Sequence, residues 1–191
     1  MEFFDFADKK TLFLTVHLFG IALGAGGAFI SDAMFFKTAR DNRISRTEMG
    51  FLLLGSRFVF AGLILLLVSG ALLFSLDPER YLASSKFLAK MTVVAVIAVN
   101  GVFFHTTHIP RLRRHVGTHL PSSDEFGRYR MLLLGSGAVS LVSWALAIVL
   151  GTFKSIPFSY EVIVGGYVAV VALALLISFI LRDYLLPTHH R

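Results

Sequence analysis

Five stretches of this chain stay apolar long enough to cross a hydrocarbon layer, which takes about 20 helical residues at about 1.5 Å each. They cover residues 11–36, 51–76, 87–109, 131–153 and 162–181. In lipid no water is at hand for the backbone, so repeated runs of this kind leave the helix as the economical form. The expected fold is an all-α integral membrane protein, a five-transmembrane-helix bundle forming a single membrane domain over residues 1–191. All five prolines (Pro78, Pro110, Pro121, Pro157 and Pro187) fall between or after the runs, where a missing N–H does least harm. The first run is too long for the core of a secretory signal and is read as a permanent helix.

Absence of cysteine excludes disulfides, thiolate zinc sites, iron–sulfur clusters and thioether-attached haem. The net charge of +6 could point to nucleic acid in a soluble chain. Here the basic residues crowd into short connections and act as topology signals, so nucleic acid is not an expected partner and the lipid bilayer is. The first connection carries Lys37, Arg40, Arg43 and Arg46, and the third Arg111, Arg113, Arg114, Arg128 and Arg130. The second holds Arg80 and borders Lys86, and the fourth holds Lys154. The positive-inside rule then predicts the N-terminus outside and the C-terminus cytoplasmic, with the bacterial inner (plasma) membrane as the expected location. The pentapeptide LLLGS occurs at residues 52–56 and 132–136, each at a helix start, so a parallel repeat of helices two and three with four and five stands beside chance similarity.

Polar residues at membrane depth are the candidate sites, because lipid penalises them. In the first helix His17, Gly20, Gly24, Gly27 and Ser31 follow a 3-4-3-4 spacing and share one face that is almost bare of side chains. Two readings stay open for it: close helix packing, in this chain or across a homo-oligomer through Gly20 and Gly24, or a groove wall for a planar macrocycle with His17 as axial ligand. Lys90 enters the third helix at about the depth of His17 and either faces the same site or snorkels to the headgroups. Towards the other end, Asp32 is expected to pair with Arg57, since an unpaired charge there costs several kcal/mol. Asn100, His105 and His108 follow on helix three. The i, i+3 histidines could hold a metal jointly, His105 could ligate a haem iron, or His108 could lie among the headgroups beside Pro110. His115, His119, His189 and His190 look like solvated loop and tail residues, and Trp144 is placed in the bundle interior. No phosphate loop, nucleophile elbow or zinc-protease signature is present.

Three patterns in order resemble one group of small membrane proteins: Val16-His17-Leu18 opening a glycine-rich helix that ends at Phe35-Phe36; KFLAKMTVVAVIAVNGVFFHTTHIPRLRR from Lys86 to Arg114; and GRYRMLLL from Gly127 to Leu134. The layout is similar to the HemJ-type protoporphyrinogen oxidases and their relatives in the copper resistance protein D group. The resemblance implies bound haem b and functional roles for His17 and Lys90. Helix one lacks the tryptophan and arginine of those oxidases, and the segment after Arg130 lacks their Asn-Glu-x-Pro element, so the resemblance speaks for haem rather than for that reaction.

Three functions are therefore carried forward. The first is a haem b membrane protein with oxidoreductase or electron-transport activity on a porphyrin, quinone or similar hydrophobic substrate or redox partner. Its cofactor-binding residues would be His17, Gly20, Gly24, Gly27 and His105, and its catalytic group Lys90 with Asp32 and Arg57. The second is a small-ion or metal transporter or channel with Asp32, Arg57, Asn100, His105 and His108 along a polar path, His17, His105 and His108 being the metal-ligand candidates. The third is a non-catalytic assembly subunit. Whether the chain is an enzyme stays open among them.

Overall fold

The computed structural model describes residues 8–40, 45–117 and 124–185. His119, His189 and His190, Arg43, Pro121 and Pro187 lie outside the described residues.

Among the described residues the secondary structure is helical, and five helices are long and apolar enough to cross a membrane. Helix α1 spans Lys9–Arg40 and α2 Arg46–Leu76. A short α3, Pro78–Leu82, leads into α4, Ser85–Phe103. The same rod continues through a π-helical turn, Phe104–His108, into α5, Ile109–Arg114. Helix α6 covers Asp124–Thr152, α7 Tyr160–Ile180 and α8 Arg182–Leu185.

Local chemistry sets the helix starts. Asp8 Oδ1 accepts the Thr11 amide at 2.6 Å, and this residue's hydroxyl and amide hold the Asp8 carboxyl below the usual carboxylate range. Ser45 and Glu48 form a reciprocal capping box on α2, the Glu48 carboxylate accepting the Ser45 N–H at 2.8 Å. Asp77 caps α3, which opens with Pro78 at its first turn, and Ser84 caps α4.

Cross-helix contacts fix the direction of each span. On α1 and α2, His17 meets Ser69, Gly20 and Gly24 meet Gly62, and Gly27 meets Gly55, so the two run antiparallel. Lys90 reaches His17 and later Asn100 bonds Ser136, so α4 descends alongside α1 while α6 climbs back. Tyr167 hydroxyl meets Ser143 at 2.8 Å, and Thr92 meets Tyr160 at 3.0 Å, seating α7 on α6 and α4. Tyr167 is the buried residue of α7, Ile163 and Val171 pack half-buried against the core, and most of its other apolar side chains are exposed, as a lipid-facing helix requires.

Two apolar clusters fill the bundle. One joins Ala25, Ala28, Leu63, Leu66, Val93, Ile97, Trp144, Ala147, Leu150 and Tyr167. The other joins Phe35, Met49, Leu52, Ile109, Leu112, Leu133 and Leu134. On α1 the gap between them holds Ser31 and Asp32; on α2, Ser56; on the α4 rod, Asn100; on α6, Ser136 and Ser140. A polar layer thus lies between two apolar ones.

Candidate functional site

The first polar group lies near the end of the bundle where α4 begins. Lys90 Nζ lies 3.2 Å from His17 Nε2, and His17 Nδ1 lies 2.9 Å from Ser69 Oγ. Ser69 Oγ donates to the Leu65 carbonyl one turn back, so its remaining capacity towards His17 is as an acceptor. His17 therefore carries its proton on Nδ1 and accepts from the Lys90 ammonium at Nε2. The chain Lys90, His17, Ser69, Leu65 is satisfied at each step. Ser69 is completely buried, and Lys86 next door is tied to the Phe153 and Lys154 carbonyls at the end of α6. Of the two readings open for Lys90, the structure shows the contact with His17.

The glycine face is covered. A Cβ on Gly62 would run into the Gly24 backbone, and one on Gly24 would enter the Trp144 ring. Gly20 and Gly27 likewise lie against the α2 backbone, with Gly62 O 3.1 Å and Gly55 O 3.0 Å from where a Cβ would stand. This close packing belongs to small-xxx-small helix pairs. Its partner is α2 of the same chain together with Trp144, so the Gly20/Gly24 seam is not open to a second copy. The same packing bears on haem. His17 has both ring nitrogens engaged, and α2 and Trp144 fill the glycine face against which a macrocycle would lie. The residues in this arrangement do not fit a haem there.

About 15 residues further along α1, which is about 22 Å at the helical rise, lies the second group. A cavity of about 50 Å³ is lined by Ser31, Asp32, Ser56, Asn100, Ser136 and Ser140, with Gly101, Gly137, Trp144 and several apolar side chains completing the wall. Asn100 and Ser136 satisfy one another: the amide donates to the Ser136 carbonyl at 3.0 Å and accepts the Ser136 hydroxyl at 3.0 Å. Ser56 Oγ lies 3.2 Å from Nδ1 of His105, whose ring also meets Phe60 edge-on and is exposed on its outer side. Asp32 Oδ2 and Ser31 Oγ are buried and have no hydrogen-bond partner among the described residues.

Several expectations change here. Asp32 and Arg57 form no ion pair: Ser56 points into the bundle, and Arg57, about 100° further round the helix, is exposed. His105 and His108 do not share a face. The π turn that contains them changes the angular step. His105 turns to α2, while His108 is 2 % exposed and sits edge-on between the rings of Phe103 and Phe104. Its Nε2 has no partner among the described residues. Among the described residues no group of three or more His, Asp or Glu side chains is placed to hold a metal, so His17, His105 and His108 are not gathered into one centre. Trp144 is buried in the bundle as expected.

The serines were the missed residues. Ser56 and Ser136 end the two LLLGS segments, and both line the cavity. That shared pentapeptide was the available signal, together with the i, i+4 pair Ser136 and Ser140. No family model, curated protein or solved structure matches the chain.

Proposed function

We propose that the chain is an integral membrane protein of the transport class, passing a small cation through the polar layer at Asp32. One observation carries this reading: Asp32 Oδ2 and Ser31 Oγ are buried without a partner in a cavity with four further polar side chains. Buried polar groups in proteins are almost always satisfied, and intramembrane ionisable residues concentrate on ion and proton pathways. A carboxylate kept unpaired costs stability, which a transported cation offsets while it is bound. Lys37, Arg46, Arg111, Arg113, Arg114 and Arg130 all fall at the Asp32 end of the spans. The positive-inside rule accordingly supports a cytoplasmic Asp32 end, an external His17 end and a cytoplasmic C-terminus, in a bacterial plasma membrane.

The test is flux into proteoliposomes. Wild-type protein should collapse an imposed cation or proton gradient, and Asp32→Asn should abolish that activity while eluting as a folded species. Equal flux in both would defeat the proposal.

The redox reading keeps one favourable observation, the 3.2 Å meeting of Lys90 with His17, the two positions that the family resemblance singles out. It requires Lys90 to leave Nε2 and α1 to part from α2 or Trp144. A Soret band in protein purified in mild detergent and lost in His17→Ala would reinstate it. Protein that is both colourless and inactive in flux would favour the assembly-subunit reading.

A further inference from the structure

Several hydroxyl-bearing side chains in this bundle share a habit, and two others, Ser56 and Ser136, bond across helices instead. Thr15, Ser69, Thr92, Thr106 and Ser143 all donate to the carbonyl four residues back, as serine and threonine in apolar helices ordinarily do. Ser31 does not. It is only 9 % exposed, and its hydroxyl has no partner among the described residues. Beside it in the same cavity stands the equally unpartnered Asp32 Oδ2.

Resting on the transport reading, we infer that this layer binds one small monovalent alkali cation of sodium size, with Asp32 Oδ2 and Ser31 Oγ as its protein ligands and water completing the shell. The donor set decides the class. Every free donor is a neutral or anionic oxygen, which suits hard cations. Asp32 is the single acid lining the cavity, so one positive charge balances it, whereas protein sites for divalent calcium gather several carboxylates. No histidine is among the residues that line the cavity, so no imidazole nitrogen is offered to a transition metal. Asn100 and Ser136 hold each other and form wall rather than ligand.

Room and isolation agree with this assignment. At about 10–15 Å³ per water centre, a cavity of about 50 Å³ accepts one small cation with roughly two or three waters. Towards the His17 end, Gly24, Gly62 and the Trp144 ring pack closely against one another. A cation in the layer is thereby kept apart from the Lys90 and His17 pair, whose ammonium would repel it.

The chain contains one tryptophan, and it lines this cavity. Its emission is therefore a local reporter. Full-length protein in detergent is titrated with NaCl replacing choline chloride at constant ionic strength and pH. A saturable change in Trp144 emission is expected. Its midpoint should rise at least ten-fold, or the response vanish, in Asp32→Asn, and rise several-fold in Ser31→Ala, which removes only a hydroxyl and keeps the experiment decisive if the first variant fails to fold. No response to Na⁺, Li⁺ or K⁺, or a response of unchanged midpoint in both variants, overturns the site. In the first of those cases an Asp32-dependent proton flux would leave the transport reading intact. Saturable Na⁺ binding with no Na⁺ flux in proteoliposomes would instead remove the transport reading and leave the site.

Discussion

The bundle has two polar centres about 22 Å apart along α1, and they differ in completeness. At one, Lys90, His17 and Ser69 hand hydrogen bonds on until the last reaches the Leu65 carbonyl. At the other, Asp32 Oδ2 and Ser31 Oγ end in a cavity. Satisfied networks in a low-dielectric interior fix helices relative to one another, and removing a member exposes the rest. An incomplete network lowers stability unless something outside the chain completes it. The first centre accordingly has the character of a structural clasp between α1, α2 and α4, whereas the second leaves buried polar atoms unsatisfied, the feature on which the proposed cation site rests.

The difference can be broken at several points. The largest effect is expected from the wall between the centres. Gly62→Leu forces a branched side chain into the Gly24 backbone and should separate α1 from α2, costing about 3 kcal/mol or more. Size-exclusion profiles and thermal unfolding in detergent would show aggregation or a strongly lowered Tm. Next comes the clasp. Lys90→Met removes the donor to His17 Nε2 and should cost about 1–3 kcal/mol, the penalty for a buried acceptor left unpaired. Ser69→Ala should cost about 1 kcal/mol. Combined with Lys90→Met it should cost less than the sum of the two, because both act through the same ring; a strictly additive pair in a double-mutant cycle would remove the relay. The smallest effect on stability belongs to the cavity. A Cβ on Gly137 would stand 3.9 Å from Asp32 Oδ1, an ordinary contact. Gly137→Ala should therefore leave unfolding within about 0.5 kcal/mol of wild type, while slowing flux by narrowing the space beside the carboxylate.

Much of the fold was legible in the sequence, because span length and hydropathy are carried locally by each run. The five spans appear where the apolar stretches lie, extended at their ends by Asp8, Ser45 and Ser84 caps. Depth was legible too, since His17 and Lys90 each stand a few residues inside their helices and do meet. Rotation about the helix axis was less so. One residue separates inward Ser56 from outward Arg57, and hydropathy cannot choose between neighbours when both are polar. A π turn adds its offset without any apolar signature, so the histidine pair was placed on one face when it occupies two. The glycine face showed that something would come close but not what. Trp144, more than a hundred residues away in sequence, is part of that something, and no local pattern links them.

The contrast between the satisfied clasp and the unsatisfied layer is tested most directly by thermal unfolding of wild type, Lys90→Met and Asp32→Asn side by side, in detergent with choline as the only added cation. Lys90→Met should unfold at a clearly lower temperature than wild type. Asp32→Asn should match or exceed wild type, since it removes an uncompensated buried charge and breaks no bond. If Asp32→Asn instead loses as much as Lys90→Met, the carboxylate is holding the fold together, and the reading of Asp32 as an unsatisfied group fails.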